Sequence, residues 1–274
     1  MTAHSMSQVN PLNSLDAAHE MEDLIATSLN PIEPDPAMGS ALSARLFQRV
    51  ARSAQANAPF VNVRKRDGVW TESVPGVQVK LLHEGEGVVS RLIQLAPGAH
   101  WSLDAVAAAD EILILSGDLD LGGIQMAAHD YHLRGADAGG LDAVSTQGAV
   151  LYWRQSASGM SVFGDAQSSV TVSANDGVWE PLRQGVMIKP LFGVGDRVSM
   201  LARLEVGGSV PAHVHECAEE CLMLDGDMFL GDVLLLQGEY QWAPGGTGHD
   251  MLFSDVGCVV FIHGAVDPAL KQAV

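Results

Sequence analysis

Short apolar segments separated by glycine-containing turns make up most of the chain from about residue 67 onward. Residues 77–82, 112–115 and 198–204 are typical, since each segment is brief and rich in β-branched or other apolar side chains. Such segments at close intervals favour the β-strands of a sandwich or barrel, and the sequence lacks the alternation of strand and helix that marks a parallel sheet. We therefore predict a mainly β protein.

The first 66 residues have a different pattern, in which apolar side chains recur at helical spacing. One such stretch covers residues 15–29. A second covers residues 37 to about 54 and carries four apolar residues on one face: Leu42, Leu46, Phe47 and Val50. Between them, residues 30–36 contain three prolines, each of which disfavours helix at the residue before it. We predict an N-terminal helical segment over residues 1–66 with a proline-rich break, packed on the rest of the protein or across a dimer.

The chain repeats itself at a fixed spacing of 109 residues. Residues 67–154 align with residues 176–263 without a gap, and 26 of the 88 aligned positions are identical. The matches include Asp-Gly-Val-Trp, which begins both segments, and the pairs Glu111 and Glu220, Gly117 and Gly226, and Tyr131 and Tyr240. Chance would give only a handful of identities. We therefore predict two duplicated domains, at residues 67–160 and 161–274, after the N-terminal segment.

The chain is strongly acidic, with a formal net charge of −18 from 33 acidic and 15 basic residues. An acidic surface repels phosphate backbones and anionic lipid head groups, so we expect no direct nucleic-acid binding. No apolar run approaches the roughly 18 residues that a membrane span needs, and the N-terminus lacks a secretory-signal pattern. The odd cysteine count, three, argues against a disulfide framework. We expect a cytoplasmic protein that is not bound to a membrane.

The second half contains four residues of the types that bind metals: His213, His215, Glu219 and His249. Alternate residues of a strand point to the same face, so His213 and His215 project together, and a turn would return Glu219 on the neighbouring strand. Three imidazoles and one carboxylate suit Fe(II), Mn(II), Ni(II), Cu(II) or Zn(II). We predict a metal site here. Glu220 is an alternative carboxylate, but its recurrence as Glu111 in the other half favours a structural role.

The first half lacks this set of ligands. The 109-residue offset places Asp104, Val106, Asp110 and Gly140 at the four positions. An acidic residue cannot replace three imidazoles, so we predict that this half binds no metal. Three histidines lie near these positions in sequence but fall at different strand positions, and we assign them to surface or packing roles: His100, His129 and His132.

The spaced histidine and glycine motifs resemble those of the cupin superfamily. Trp179, Gly185-Val186 and Lys189, followed by Glu219-Glu220 and Leu-x-Leu-x-Gly at 222–226, narrow the resemblance to the ChrR-like cupins. The resemblance covers about residues 67–266 and implies two tandem cupin (double-stranded β-helix or jelly-roll) barrels, the first degenerate and the second metal-binding. It places the family's metal ligands on His213, His215, Glu219 and His249. It also implies one divalent metal ion per chain, with zinc or iron ahead of manganese or nickel.

Two functions are compatible with this resemblance. ChrR-like proteins include an anti-sigma factor that responds to singlet oxygen. This implies a metal-dependent sensor or transcription regulator whose N-terminal segment binds a sigma factor or another protein. The zinc-binding His-x-x-x-Cys-x-x-Cys signature of such factors is missing, because no cysteine precedes Cys217. Related cupins are Fe(II) dioxygenases, which implies, as the alternative, an enzyme that acts on a diketone or hydroxyacetophenone-like carbonyl compound.

Both functions are compatible with a small-molecule ligand at the metal and with a homodimer. Whether the protein is an enzyme stays open, and the sequence identifies no catalytic residue. Cys221 would point inward with Glu219 by strand alternation. Its thiol is interpreted either as a small buried apolar group or as an oxidisable sensor beside the metal.

Overall fold

The computed structural model describes residues 22–24, 35–104, 110–135, 138–156, 168–195 and 197–265. The chain divides into two compact units, Met1–Gln55 and Ala56–Val274, each of which is described by itself. The helix predicted over residues 15–29 lies outside the described residues, except for residues 22–24, which are helical.

One helix, α1 (Pro36–Asn57), dominates the described part of the first unit and confirms the second helix predicted from apolar spacing. Its start is defined by Asp35, whose side-chain oxygen accepts a hydrogen bond from the Ala37 amide at 2.8 Å, as an N-cap residue does. Proline is tolerated at the first helical position, because the amide there has no intrahelical partner. No described residue of α1 is buried. Among the described residues, no helix has the length and apolar character needed to cross a membrane.

The second unit is built almost entirely of strands. Those before residue 160 are β1 (Val61–Val63), β2 (Thr71–Val74), β3 (Val77–Gly85), β4 (Val88–Leu95), β5 (His100–Leu103), β6 (Asp110–Leu121), β7 (Ile124–Ala127), β8 (Tyr131–Arg134), β9 (Leu141–Val144) and β10 (Ala149–Ser156). Those after it are β11 (Val170–Val172), β12 (Glu180–Arg183), β13 (Val186–Val194), β14 (Arg197–Leu204), β15 (Ser209–Val210), β16 (His213–Val214), β17 (Glu219–Leu230), β18 (Val233–Leu236), β19 (Tyr240–Ala243), β20 (Gly248–His249), β21 (Leu252–Phe253) and β22 (Cys258–Ala265).

The strands form two antiparallel, ten-stranded sheets of matching topology. One has the order β11-β8-β6-β10-β4-β3-β2, and the other has the order β1-β19-β17-β22-β14-β13-β12. Each central 12-residue strand, β6 or β17, starts at the position related by the 109-residue repeat. The predicted mainly β, cupin-like jelly-roll fold with an N-terminal helix is therefore confirmed. We call the two halves the first and second barrel.

Each barrel receives one edge strand from the segment that precedes the other. β1 comes before the first barrel but pairs with β19 of the second, with Val61 opposite Trp242. β11 comes before the second barrel but pairs with β8 of the first, with Val170 opposite Leu133. The repeat therefore extends to a reciprocal exchange of strands. The domain limits at residues 66 and 160 stay a prediction.

Two glycines that occur in both repeats, Gly117 in β6 and Gly226 in β17, occupy a strand position that no other residue fits. Gly117 and Gly226 have φ values of 83° and 70°, in the left-handed region that favours glycine. An added Cβ would lie 1.9 Å from the Gly148 carbonyl oxygen in the first barrel and 2.1 Å from the Gly257 carbonyl oxygen in the second. This close backbone approach explains why both glycines recur at the same offset.

Three apolar clusters organise the barrels. One fills the first barrel around Ile93, Ile114 and Leu151, and another fills the second around Val186, Met228 and Val260. The third contains residues from both barrels, including Leu92, Tyr152, Leu201 and Phe261, so the barrels share a continuous interface.

A buried polar network crosses this interface with the same symmetry as the repeat. Ser90 of the first barrel donates to Glu220 of the second at 2.5 Å, and Ser199 of the second barrel donates to Glu111 of the first. Tyr152 also donates to Glu220, at 2.7 Å. Both carboxylates are about 98–99% buried. The glutamate that recurs in both repeats therefore has a structural role at the interface, and the side chain of Glu220 points towards the first barrel.

Two cationic or titratable partners complete the network. The Nε of Arg154 donates to Glu220 Oε1 at 2.7 Å, and His263 Nδ1 lies 2.8 Å from Glu111 Oε2. Burial opposes ionisation of Glu220, but Arg154, His263 and hydroxyl donors outweigh it and lower its pKa to about 2. His263 is 1% exposed and lies between the barrels.

Candidate metal centre

Local strand pairing brings the first and last predicted ligands together. β16 and β20 form a two-residue ladder in which His213 lies opposite His249. Gly248 makes this pairing possible, because a Cβ there would lie 2.3 Å from the His213 carbonyl oxygen. His215 follows β16 directly, and Glu219 is the first residue of β17.

The four side chains converge at one end of the second barrel. One ligand atom from each of His213, His215 and Glu219 lies within 4.8 Å of the others. Glu219 Oε1 lies 3.4 Å from His215 Nε2 and 4.0 Å from His249 Nε2. His215, Glu219 and His249 are buried, whereas His213 is partly exposed. The structure thus brings together all four residues identified from the motif spacing, and their role as ligands stays a prediction.

Hydrogen bonds fix which nitrogen of two imidazoles faces the cluster. His213 Nδ1 donates to the Pro211 carbonyl oxygen at 3.0 Å, so its Nε2 carries the lone pair. Thr247 Oγ1 donates its single proton to the Pro244 carbonyl oxygen at 2.5 Å. Thr247 can therefore only accept from His215 Nδ1, at 3.4 Å, which leaves the Nε2 of His215 unprotonated as well.

The cluster fits a divalent cation. The Nε2 atoms of His215 and His249 are buried and have no hydrogen-bond partner among the described residues. Burial, reinforced by the neighbouring histidines, lowers the pKa of His249 to about 3, so its imidazole is neutral. Unpartnered buried nitrogen atoms are costly, and a metal ion shared with the Glu219 carboxylate would satisfy them. The donor set agrees with the N/O site expected from the sequence.

A small apolar cavity adjoins the cluster inside the second barrel. Its volume is about 50 Å³, and its walls include Met200, Val210, Cys221 and Ile262. Cys221 points inward as expected, with its Sγ 3.6 Å from Glu219 Oε1. Burial, with the nearby Glu219 carboxylate, raises the pKa of the Cys221 thiol well above its usual range, so the protonated thiol is the resting form.

Phe60 is a residue of the site that sequence reasoning missed. Its ring stacks on the His249 imidazole with a centroid distance of 5.1 Å and an interplanar angle of 21°. It precedes β1, the strand that the N-terminal side of the chain contributes to the second barrel. No spacing in the sequence signals this contact, because Phe60 precedes the first repeat and His249 lies far from it in the second.

The equivalent position of the first barrel holds an arginine. Asp110 stands where the second barrel has Glu219, and it accepts hydrogen bonds from Arg134 Nε at 3.0 Å and Nη2 at 2.7 Å. The Nη1 of Arg134 donates to the carbonyl oxygen of Asp104, the residue equivalent to His213, at 2.8 Å. Sequence reasoning missed Arg134, although the repeat offset shows it against Ala243.

His100, His129 and His132 of the first barrel do not join this cluster. His132 is buried, and its Nδ1 bonds with Thr171 Oγ1 at 2.9 Å on β11. His100 is exposed and lies 3.5 Å from Asp142 Oδ1. His129 has a positive φ of 70° in the turn before β8. These positions agree with the packing and surface roles assigned from the sequence.

Comparison with known proteins gives a family match and structural similarities. Residues 167–266 match the family of ChrR cupin-like domains. No curated protein matches the chain. Similar solved structures include a proposed dioxygenase from Nostoc punctiforme (TM-score 0.60, 15% identity, 78% of this chain and 85% of that one). They also include oxalate decarboxylase from Lactobacillus farciminis in complex with formate (0.58, 12%, 75% and 86%) and a cupin 2 conserved barrel domain protein from Leptotrichia buccalis (0.51, 12%, 72% and 92%). At these identities the similarities show the fold alone.

Proposed function

We propose that this chain, whose residues 167–266 match the family of ChrR cupin-like domains, is a metal-dependent sensor that regulates a protein partner. The second barrel would hold one divalent ion through His213, His215, Glu219 and His249. Zinc or iron suits this donor set best, with manganese or nickel next. The ion would supply a centre whose ligation responds to an oxidant or a small ligand.

The stacking of Phe60 on His249 is the observation that supports sensing most directly. Phe60 follows the last residue of α1, Asn57, by three positions in the chain. A shift of the His249 ring would displace Phe60 and, through it, the short strand β1. The candidate metal site is thereby linked to residues 58–63, which follow α1 directly in the chain.

The apolar face of α1 is the surface that we propose for the protein partner. Leu42, Leu46, Phe47 and Val50 are 55–71% exposed. The helix contains three arginines and no acidic residue, in a chain whose net charge is −18. Its partner would therefore offer an apolar groove bordered by carboxylates, as a sigma factor or another regulatory protein could. A second copy of the chain is the competing occupant.

The size of the cavity favours this function over the dioxygenase alternative. At about 50 Å³ it has room for a few water molecules or a small oxidant beside the ligands. Pockets for drug-sized ligands measure roughly 300–1,000 Å³, so a hydroxyacetophenone-like substrate would require the barrel to open.

Metal analysis combined with hydrogen exchange tests the proposal. Protein purified without oxygen is analysed for bound metals, and amide exchange is then compared between metal-loaded and chelator-treated protein. We expect one metal per chain and slower exchange over residues 58–63 when it is bound. The variant Phe60→Leu should keep the metal but lose this difference.

Phe229→Leu is the matched control, since Phe229 stacks on Phe253 at 4.7 Å elsewhere in the second barrel. It should keep both the metal and the exchange difference. Identical exchange over residues 58–63 in the two metal states of the wild-type protein would contradict the sensor function, whereas absence of metal would contradict the metal site itself.

A further inference from the structure

The first barrel has an open cavity of about 640 Å³, within the size range of small-molecule sites. It corresponds in part to the 50 Å³ cavity of the second barrel, because six lining positions of the two cavities are related by the 109-residue repeat. Its lining comes from β2, β3, β4, β5, β8 and β10, and the groups that carry the argument are Glu72, Arg91, Trp101, Asp104, Arg134 and Trp153.

Three substitutions between the repeats change the chemistry of this cavity. Arg91, Trp101 and Trp153 stand where the second barrel has Met200, Val210 and Ile262. In the sheet, Trp153 lies between Arg91 on β4 and Ile112 on β6. Residues paired across neighbouring strands share a face, and Ile112 belongs to the core of the first barrel. Trp153 and Arg91 therefore face the interior of the barrel, at its open end.

Arg91 places a positive charge next to the Trp153 ring inside the cavity. Its guanidinium lies 5.4 Å from the centre of the Trp153 ring, and its Nη1 donates to Gln155 Oε1. Among the described residues, no carboxylate forms an ion pair with Arg91. Burial lowers the pKa of Arg91, and the charge of Glu84 partly offsets this effect. The guanidinium has therefore lost part of its hydration and has no carboxylate of the described residues in close contact. An anionic group would restore that balance.

The other charged residues of the cavity do not neutralise the Arg91 guanidinium. Arg134 is neutralised by Asp110, with which it forms a buried ion pair at 2.7 Å. Glu72 and Asp104 are exposed at the rim, where solvent screens them. Trp101 meets Trp153 edge to face at a centroid distance of 4.9 Å, so the two indoles form an aromatic corner beside Arg91.

We propose that the first barrel is a separate, metal-independent binding site for a small aromatic carboxylate. The carboxylate binds the Arg91 guanidinium, and the ring packs against Trp101 and Trp153. Arginine suits a carboxylate because its planar fork offers two parallel hydrogen bonds. This site does not depend on the proposed sensor function, since none of its residues belongs to the metal centre.

Calorimetric titration with matched small molecules tests the proposal. Benzoate, phenylacetate and indole-3-acetate are compared with benzamide, a neutral analogue, and phenethylamine, a cationic one. At least one carboxylate should bind one site per chain, and the amide and the amine should bind at least about tenfold more weakly, about 1.4 kcal/mol. The affinity should be unchanged by a chelator and in His249→Ala.

Variants assign the binding to this cavity. Arg91→Met, which introduces the residue of the second barrel, should raise the Kd of the carboxylate about tenfold or more. Arg91→Lys keeps the charge and should weaken binding less. Arg203→Met is the control, because Arg203 also lies over an indole, 4.5 Å from the centre of the Trp179 ring, and its loss changes the net charge equally. Thermal melting checks that each variant is folded.

The proposal is overturned if no carboxylate of the set binds at millimolar concentration. It is also overturned if folded Arg91→Met binds as tightly as the wild-type protein, if Arg203→Met weakens binding equally, or if His249→Ala abolishes it.

Discussion

Asp110 and Arg134 form a fully buried ion pair at the position where the second barrel places Glu219 opposite Ala243. The strand register is the same in both barrels, so one substitution, alanine to arginine, supplies an internal cation next to the acidic residue. A guanidinium with three hydrogen bonds thereby meets the carboxylate in the first barrel. In the second barrel the small side chain of Ala243 offers no cation, and the Glu219 carboxylate lies beside His215 and His249 instead.

Removing the arginine should destabilise the protein strongly. Arg134→Ala leaves the Asp110 carboxylate buried without its partner, and breaking one side of a buried pair costs about 3–5 kcal/mol. Urea unfolding of the variant measures the change in the free energy of unfolding. Arg203→Ala removes an exposed arginine and should cost less than about 1 kcal/mol. Equal losses in the two variants would mean that the Asp110 pair has no special part in the stability of the first barrel.

We expect one metal ion per chain, because among the described residues only those of the second barrel bring three imidazoles and a carboxylate together. His213→Ala and His249→Ala should each abolish tight binding, since each removes a predicted ligand. His132→Ala, which changes a buried histidine of the first barrel, should leave the stoichiometry unchanged. Metal titration monitored by elemental analysis gives the count. Two equivalent tight sites, or loss of the metal on changing His132, would contradict the assignment.

The orientation of His215 should depend on the hydroxyl of Thr247. Thr247→Val keeps the shape of the side chain but removes the acceptor for His215 Nδ1, which should weaken metal binding about 10–100-fold. Competition with a chelator measures the affinity. Thr171→Val removes the equivalent kind of contact from His132 in the first barrel and should have no effect on the metal. An unchanged affinity in Thr247→Val would show that packing alone orients the imidazole.

Glu220, at the interface between the barrels, should make the free energy of unfolding decrease at acidic pH. The pKa of Glu220 in the folded protein is about 2, below its ordinary value of 4.5. Its ionised form therefore contributes stability that is present above about pH 4.5 and is lost as the pH falls towards 2. From the shift, the contribution is about 3 kcal/mol.

Glu220→Gln tests this contribution by chemical unfolding between pH 7 and pH 3. The variant should be less stable at pH 7 and should lose less stability on acidification than the wild-type protein. Glu205→Gln, at an exposed position, is the control and should follow the wild-type curve. Parallel curves for Glu220→Gln and wild type would mean that the charge of Glu220 does not stabilise the interface.

The sequence predicted those features that repeat or follow a local period. The 109-residue offset indicated two related halves, and strand alternation with glycine spacing brought His213, His215, Glu219 and His249 into one expected site. α1 followed from apolar residues at helical spacing. Each of these signals lies within a short segment or in the comparison of two aligned segments.

The features that the sequence did not reveal depend on contacts between distant segments. Phe60 reaches His249 because β1 pairs with β19 of the second barrel. A three-residue strand is too short for its periodicity to predict which strand it pairs with. Arg154 and His263 occupy equivalent positions of the repeats, and each contacts a glutamate of the other barrel, which the sequence of one repeat does not show. The aromatic corner of the first barrel likewise depends on the packing of β5 against β10, which no local pattern records.

The reciprocal placement of β1 and β11 constrains how the protein is made on the ribosome. β1 is synthesised before the first barrel, yet its partner β19 is available only after residues 240–243 have emerged. The first barrel in turn keeps the edge of β8 unpaired until residues 170–172 arrive, and open strand edges are sites of misassociation. Neither repeat can therefore be completed as an autonomous nascent domain. A nick near residue 160 would leave each fragment holding the edge strand that the other requires, so the two pieces should reassociate rather than fold apart.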